Sequence, residues 1–109
     1  MSKLKDPTFI DLCAAGEVPL NDIDDFVSKW HRRPGPLALH EFLGMDWAEY
    51  ALWVSEPELL PQIVRARKAH RPAKALREDV RRHADAARST NKAQAKRLEK
   101  WLKRTESVD

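Results

Sequence analysis

Apolar residues recur along this chain at the three- and four-residue spacing of α-helices, and short breaks with proline, glycine or asparagine separate them. The clearest stripe, at i, i+3, i+4 and i+7, consists of Ile23, Phe26, Val27 and Trp30. Because these side chains share one face, they predict a helix that buries that face. The sequence therefore predicts an all-α fold, a small helical bundle followed by one or two basic C-terminal helices.

The predicted core consists of the apolar and aromatic side chains of these stripes. They are Phe9, Leu12, Ile23, Phe26, Val27, Trp30, Phe42, Leu43, Tyr50, Trp53 and Ile63. The sequence 6–7, Asp-Pro, predicts the start of the first helix, since it supplies an N-cap and a proline at the first helical position. Cys13, the single cysteine of the sequence, lies on the apolar side of this helix. We interpret it as a buried hydrophobic residue.

Residues 39–54 predict two short helices joined by a glycine turn. Gly44 can take the left-handed conformation that ends a helix. Asp46, with Glu49 three residues later, forms a capping box for the next helix. The positions of this second helix that we expect to face inward are Tyr50, Trp53 and Val54.

The sequence of 43–46, Leu-Gly-Met-Asp, followed by Tyr50 and Trp53, resembles the helix-turn-helix of phage repressors. The wider run of 23–67 is similar to short bacterial proteins of toxin–antitoxin or phage-derived operons. This resemblance covers about 45 residues and implies an antitoxin-like regulator whose partner is a protein such as a toxin.

The outward positions of the second helix do not suit DNA reading. They are Asp46, Trp47, Ala48, Ala51, Leu52 and Ser55, with none of the Arg, Lys, Asn and Gln side chains that make most base contacts. We instead expect a protein-partner face, an exposed aromatic anchor with neighbouring acids, formed by Trp47, Ala48, Glu49, Ala51 and Leu52. In the alternative, Trp47 packs against the C-terminal helices of its own chain.

Charge divides the chain into an acidic half and a basic half. Residues 1–60 carry a net charge of −6 and residues 61–109 a net charge of +9. We predict an acidic helical bundle over residues 1–70 and a basic helical arm over residues 71–109. The alternative is that the basic half lies on the acidic half, within one molecule or across a dimer.

The sequence of the basic arm predicts two helices separated by a break at 89–91, Ser-Thr-Asn. Their apolar stripes are Leu76, Val80, His83 and Ala87, and then Ala95, Leu98, Trp101 and Leu102. The candidate nucleic-acid or polyanion-binding residues are the cations Arg77, Arg81, Arg82, Arg88, Lys92, Lys96, Arg97, Lys100, Lys103 and Arg104. The alternatives are a solvated helix with Trp101 docked on the bundle, and a helix that lies on an anionic membrane surface.

No residue pattern in the sequence indicates a catalytic, metal or cofactor site, so we expect neither enzyme activity nor a cofactor. No apolar run approaches the length of a membrane span, and the first residues lack the apolar run of a secretory signal. We therefore expect a cytoplasmic protein without a membrane partner. The leading hypothesis is an antitoxin-like regulator, as a homodimer or heteromer; the other is a DNA- or RNA-binding protein with the head as dimerisation module.

Overall fold

Every regular element in the computed structural model is helical over the residues that it describes, 7–33 and 35–106, and the predicted all-α fold is confirmed. The chain separates into two compact units, Met1–Trp47 and Ala48–Asp109. Each unit has its own helices and is described by itself.

The described residues of the first unit form three helices, and a fourth begins at its end. They are α1 (Phe9–Ala14), α2 (Ile23–Arg32), α3 (Leu39–Leu43) and the start of α4 (Trp47–Ser55), with a 3₁₀ turn at Leu20–Asp22. α1 starts later than the sequence predicted, because Thr8 is its N-cap. The Thr8 hydroxyl accepts a hydrogen bond from the Asp11 amide, and the Asp11 carboxylate accepts one from the Thr8 amide. Asp6 lies outside the described residues.

Aromatic and aliphatic side chains form the core of the first unit. Phe26 lies between Phe9 and Phe42, with ring-centroid distances of 5.0 and 6.4 Å. Cys13 is buried, as predicted, and burial raises the pKa of its thiol, with a smaller contribution from the negative charge of Asp22. Among the predicted core residues of the whole chain, those buried are Phe9, Ile23, Leu43 and Ile63. Those half-buried are Leu12, Phe26, Val27, Trp30, Phe42, Tyr50 and Trp53.

Gly44 ends α3 in the left-handed conformation, with φ of +89°, as the sequence predicts. Its amide donates to the carbonyl groups of His40 and Glu41. The Cα of Gly44 also lies close to the Thr8 side chain, so that a Cβ on residue 44 would come within 2.5 Å of the Thr8 Cβ. The turn therefore requires glycine for its backbone conformation and for its close approach to Thr8.

In the second unit, residues 48–106 form the rest of α4 and three further helices. They are α5 (Leu60–Arg67), α6 (Pro72–Thr90) and α7 (Lys92–Glu106), with a 3₁₀ turn at Pro57–Leu59. α6 and α7 form an antiparallel hairpin through the single residue Asn91, whose side-chain oxygen accepts a hydrogen bond of 3.1 Å from the Gln94 amide. α5 packs against α6. The two predicted basic helices are therefore two long helices folded back on each other.

The apolar stripes of α6 and α7 are buried along this hairpin. The buried residues are Leu76, Val80, Ala84 and Ala87 in α6, and Ala95, Leu98, Trp101 and Leu102 in α7. The predicted stripe of α7 is confirmed. In α6, Ala84 occupies the place that we assigned to His83. His83 is half-buried at the edge, with its Nδ1 3.0 Å from the Asp79 carbonyl oxygen.

The boundary between the two units lies at 47/48, whereas the sequence predicted a boundary at 70/71. The difference arises because α5, which we expected to close an acidic bundle, packs against the basic helix α6. In addition, Glu56 of the predicted acidic part forms an ion pair with Arg97 of the predicted basic part. The alternative prediction, that the basic half lies on acidic residues of the same molecule, therefore holds for this pair.

The replacement Gly44→Ala should destabilise the protein by about 2–4 kcal/mol, because it adds left-handed backbone strain to a steric clash with Thr8. Gly16→Ala is the matched control for strain, since Gly16 has φ of +76° but open space around it, and should cost about 1–2 kcal/mol. Gly35→Ala should change stability by less than about 0.5 kcal/mol. Urea unfolding measures all three. Equal losses for Gly44→Ala and Gly16→Ala would show that the Thr8 contact does not constrain the turn.

Candidate nucleic-acid interface

The predicted protein-partner face on α4 is not a continuous exposed surface. Leu52 is completely buried, and Glu49 is 5% exposed, with its carboxylate 2.5 Å from the Arg67 guanidinium. Both predictions of exposure are wrong. Leu52 is buried because successive helix positions turn by about 100°, which places it about 140° away from Trp47. Val54, predicted to face inward, is 59% exposed.

The two alanines of that predicted face lie against α7. The Ala48 carbonyl oxygen accepts a hydrogen bond of 2.7 Å from Nε1 of Trp101, which is 7% exposed. Ala51 lines a cavity between α4 and α7. The alternative prediction that Trp101 docks on the rest of its chain is therefore confirmed, and this docking covers part of α4.

Trp47 is the residue of the predicted partner face that remains exposed. Its side chain is 67% exposed and stacks on the His40 imidazole, with ring centroids 4.4 Å apart. The indole therefore presents a large apolar surface in a defined orientation.

Among the predicted polyanion-binding cations, Arg82, Arg88 and Arg97 form ion pairs with described residues. Arg82 lies 2.5 Å from Asp79, and Arg88 lies 3.1 Å from Glu99 and 3.6 Å from Asp85. The third, Arg97, contacts Glu56. These arginines have a structural role in addition to any contact with a ligand.

Six others form no ion pair with any residue that the structure describes. They are Arg77, Arg81, Lys92, Lys96, Lys100 and Lys103. All of these side chains except that of Arg77 are exposed, and Arg77 is half-buried. The tenth cation, Arg104, is exposed and lines the cavity between α4 and α7.

The Arg88–Glu99 ion pair shows which edges of α6 and α7 lie side by side. On α6, Arg77, Arg81 and Arg88 lie at i, i+4 and i+11, the spacing of one helix face. On α7, Lys92, Lys96 and Lys103 have the same spacing, and Glu99 lies on the same stripe. The ion pair therefore brings both stripes to one side of the hairpin. We call this set the α6–α7 cationic face: Arg77, Arg81, Arg88, Lys92, Lys96 and Lys103.

This face has the charge and dimensions for contact with a phosphate backbone. The α7 stripe from Lys92 to Lys103 is about 16 Å long, about half of one turn of duplex DNA. Six cations lie there against two acids, Glu99 on the α7 stripe and Asp85 between Arg81 and Arg88 on α6, so the local potential is positive. Phosphate neutralisation by Lys and Arg is the main source of non-specific affinity for nucleic acids.

Glu56 anchors α7 to the segment that follows α4. Its side chain is 1% exposed and accepts hydrogen bonds from Arg97, from Nε2 of Gln94 at 3.1 Å and from Oγ of Ser55 at 3.1 Å. Burial opposes ionisation of this carboxyl, but the hydrogen bonds from Arg97, Gln94 and Ser55 outweigh burial, and the pKa of Glu56 lies below its ordinary value. The sequence did not predict the contact of Glu56 with α7. An acidic residue before a proline at a helix start already has an explanation, its favourable interaction with the helix dipole.

The cavity between α4 and α7 has a volume of about 240 Å³. It is lined by Ala51, Ser55, Arg97, Lys100, Trp101 and Arg104. Three of these six residues are cations and none is acidic. Helix α7 contributes residues both to this cavity and to the α6–α7 cationic face.

Within residues 7–33 and 35–106, no group of three or more His, Cys, Asp or Glu side chains is placed to hold a metal ion. None of the described helices combines the length and the apolar character needed to cross a membrane.

No protein-family model, no curated protein and no solved structure matches this chain.

The replacement Glu56→Gln should destabilise the protein by about 1–3 kcal/mol at neutral pH, because it removes charge-assisted hydrogen bonds at a buried position. Since the folded protein lowers the pKa of Glu56, this contribution is present above the ordinary glutamate pKa and is lost as the pH falls through the lowered value. The difference between wild type and variant should therefore shrink in acid. Urea unfolding at neutral and acidic pH measures it.

Glu58→Gln is the matched control, because Glu58 is exposed and accepts one hydrogen bond, of 2.7 Å, from Gln94. It should cost less than about 1 kcal/mol. A loss for Glu56→Gln that is independent of pH would contradict a role for the ionised carboxylate.

Proposed function

We propose that this protein is a non-catalytic nucleic-acid-binding protein that contacts the phosphate backbone through the α6–α7 cationic face. The observation that carries the proposal is the placement of six cations on one side of the hairpin, five of which form no ion pair with a described residue. A solvated helix face usually mixes both signs of charge, whereas on this face the six cations outnumber the acids Asp85 and Glu99, which both contact Arg88.

The composition of the face favours backbone contact over sequence reading. Its α7 stripe presents lysines, which act as point charges toward phosphates, and none of the six residues of the face is Asn or Gln, the side chains that read adenine. Phosphate contacts position a protein on nucleic acid and carry no direct sequence information. We therefore expect weak sequence preference for either DNA or RNA.

The affinity of the wild-type protein for duplex DNA should fall steeply with added salt. The variant Lys92→Gln/Lys96→Gln/Lys103→Gln should lower the log–log slope by about 2–3, because each neutralised phosphate contributes about 0.9 on duplex DNA. The measurement is fluorescence anisotropy with a labelled duplex over a series of salt concentrations.

The matched control is Arg32→Gln/Arg33→Gln/Lys68→Gln, which removes the same net charge at exposed positions outside the face. It should leave the slope nearly unchanged. If the control lowers the slope as much, net charge and not the face determines binding. If wild type binds neither DNA nor RNA at low salt, the proposed function is wrong.

We also propose a protein partner as a second candidate, because Trp47 exposes 67% of its surface while it stacks on His40. Tryptophan is enriched among residues that dominate binding energy at protein interfaces. The resemblance to proteins of toxin–antitoxin operons suggests a toxin as that partner in a heteromer, and a second copy of this chain would give a homodimer.

The replacement Trp47→Ala should cost less than about 1 kcal/mol of stability, because the indole is mostly exposed. It should nevertheless remove a stoichiometric partner from co-purification out of the native host, or convert a dimer into a monomer in light scattering. Leu37→Ala, at a residue that is 48% exposed, is the control and should leave the complex intact. A complex that survives Trp47→Ala, or wild type that purifies as a monomer without a partner, would remove this candidate.

A further inference from the structure

We propose that the α6–α7 cationic face binds double-stranded nucleic acid in preference to a single strand, an inference that rests on the proposed function. Two observations on α6 and α7 carry it. The cations of the face lie in two clusters on either side of an acidic centre, and neither helix exposes an aromatic ring on which a base can stack.

The centre of the face is acidic on balance, because two carboxylates surround one guanidinium. Arg88 lies 3.1 Å from Glu99 and 3.6 Å from Asp85, so these three side chains together carry one net negative charge. The side chains of Asp85 and Glu99 are 61% and 45% exposed. A phosphate placed over this centre would therefore meet two accessible carboxylates and be repelled.

Cations that form no ion pair with a described residue flank the acidic centre along the hairpin. The turn cluster, next to Asn91, consists of Lys92 and Lys96. The far cluster, at the other end, consists of Arg77, Arg81 and Lys103, with Lys74 three residues before Arg77 and the acid Glu106 three residues after Lys103. Along α7, Lys96 lies about 10 Å and Lys92 about 16 Å from Lys103.

This spacing suits two phosphate backbones that border one groove of a duplex. The grooves are about 6 Å and 12 Å wide, and the phosphate groups on either side add their own size. Each cluster can therefore contact one backbone, while the acidic centre lies over the groove, where no phosphate is present. A single strand that follows the face has one continuous backbone, which must pass over Asp85 and Glu99 or contact one cluster alone.

The opposite side of the hairpin is covered by other parts of the second unit. Arg97 of α7 contacts Glu56, and Glu78, Asp79 and Arg82 of α6 line a cavity with residues of α5. The charges of these side chains are therefore directed away from the α6–α7 cationic face, which is the open side of the hairpin.

The hairpin also lacks the aromatic platform that strong single-strand binders use. The aromatic rings of residues 72–106 are those of His83 and Trp101. His83 is half-buried, and Trp101 is 7% exposed, with its indole N–H donated to the Ala48 carbonyl. Proteins that bind single strands combine cations with aromatic rings on which bases stack. Charge alone favours a duplex, which carries one phosphate per roughly 1.7 Å of its axis, against roughly 3.4 Å for one strand.

The test compares a labelled DNA duplex with an unstructured single strand of equal phosphate number, and the same pair in RNA, by fluorescence anisotropy. At low salt, wild type should bind a duplex about tenfold more tightly than the corresponding single strand. The log–log salt slope should be about −4 to −5 for the duplex, because both clusters contact phosphates, and about −2 for the single strand, because one cluster does.

The variant Asp85→Asn/Glu99→Gln tests the acidic centre directly. It should strengthen single-strand binding by about tenfold and duplex binding by less than about threefold, because a single strand can then follow the whole face. The control Asp24→Asn/Asp25→Asn changes the net charge equally at exposed positions of α2 and should keep the ratio of the two affinities. Because each ratio is measured within one variant, a loss of stability does not imitate the result.

The outcomes separate this inference from the proposed function. Equal affinity of wild type for single strands and duplexes, in both DNA and RNA, leaves the proposed function intact and overturns the duplex preference. A variant Asp85→Asn/Glu99→Gln that strengthens binding of both forms by the same factor also overturns it. Absence of binding to every form contradicts the proposed function itself.

Discussion

The structure of the second unit depends on a buried carboxylate. Glu56 is almost inaccessible to water and must be compensated, since an unpaired buried charge costs several kcal/mol. Arg97 and Gln94 of α7 supply that compensation from one side, and Ser55 from the other. The same contact that satisfies Glu56 therefore holds α7 beside the end of α4, while the apolar stripe of α7 packs along α6.

This arrangement divides the cations of the C-terminal helices by function. Arginines make the internal contacts, Arg97 to Glu56 and Arg88 to Glu99, where a planar group with several donors suits a carboxylate. Lysines occupy the outer stripe of α7, where a flexible, hydrated charge can follow a phosphate backbone. For Lys92, Lys96, Arg97 and Lys103 of α7 the choice of cation thus matches what the position contacts, whereas on α6 the arginines Arg77 and Arg81 belong to the cationic face.

Much of the fold followed from local sequence signals. The helix end at Gly44, the break at Asn91 and the buried stripe of α7 depend on short-range spacing and on the conformational preferences of single residues. The burial of Glu49 did not follow, because its partner Arg67 lies 18 residues away and the sequence contains no sign of that pairing. The burial of Leu52 could have been predicted, since helical spacing places it on a different side from Trp47. Likewise, the candidate cations were identified by composition, but the Arg88–Glu99 contact was needed to place them on one side.

The charges of the acidic and basic halves of the sequence therefore have two roles in the structure. Part of it is used within the molecule, where acids from the first 60 residues meet arginines from the rest. The remaining charge is segregated: α7 carries six Lys and Arg side chains against two Glu, and five of the six candidate cations that form no ion pair with a described residue lie on one side of the hairpin. Solubility requires charge but not one sign on one side, and such clustering costs folding free energy through self-repulsion. A polyanion bound there would relieve that repulsion, since Glu49 and Glu56, the buried acids among the described residues, already contact Arg67 and Arg97.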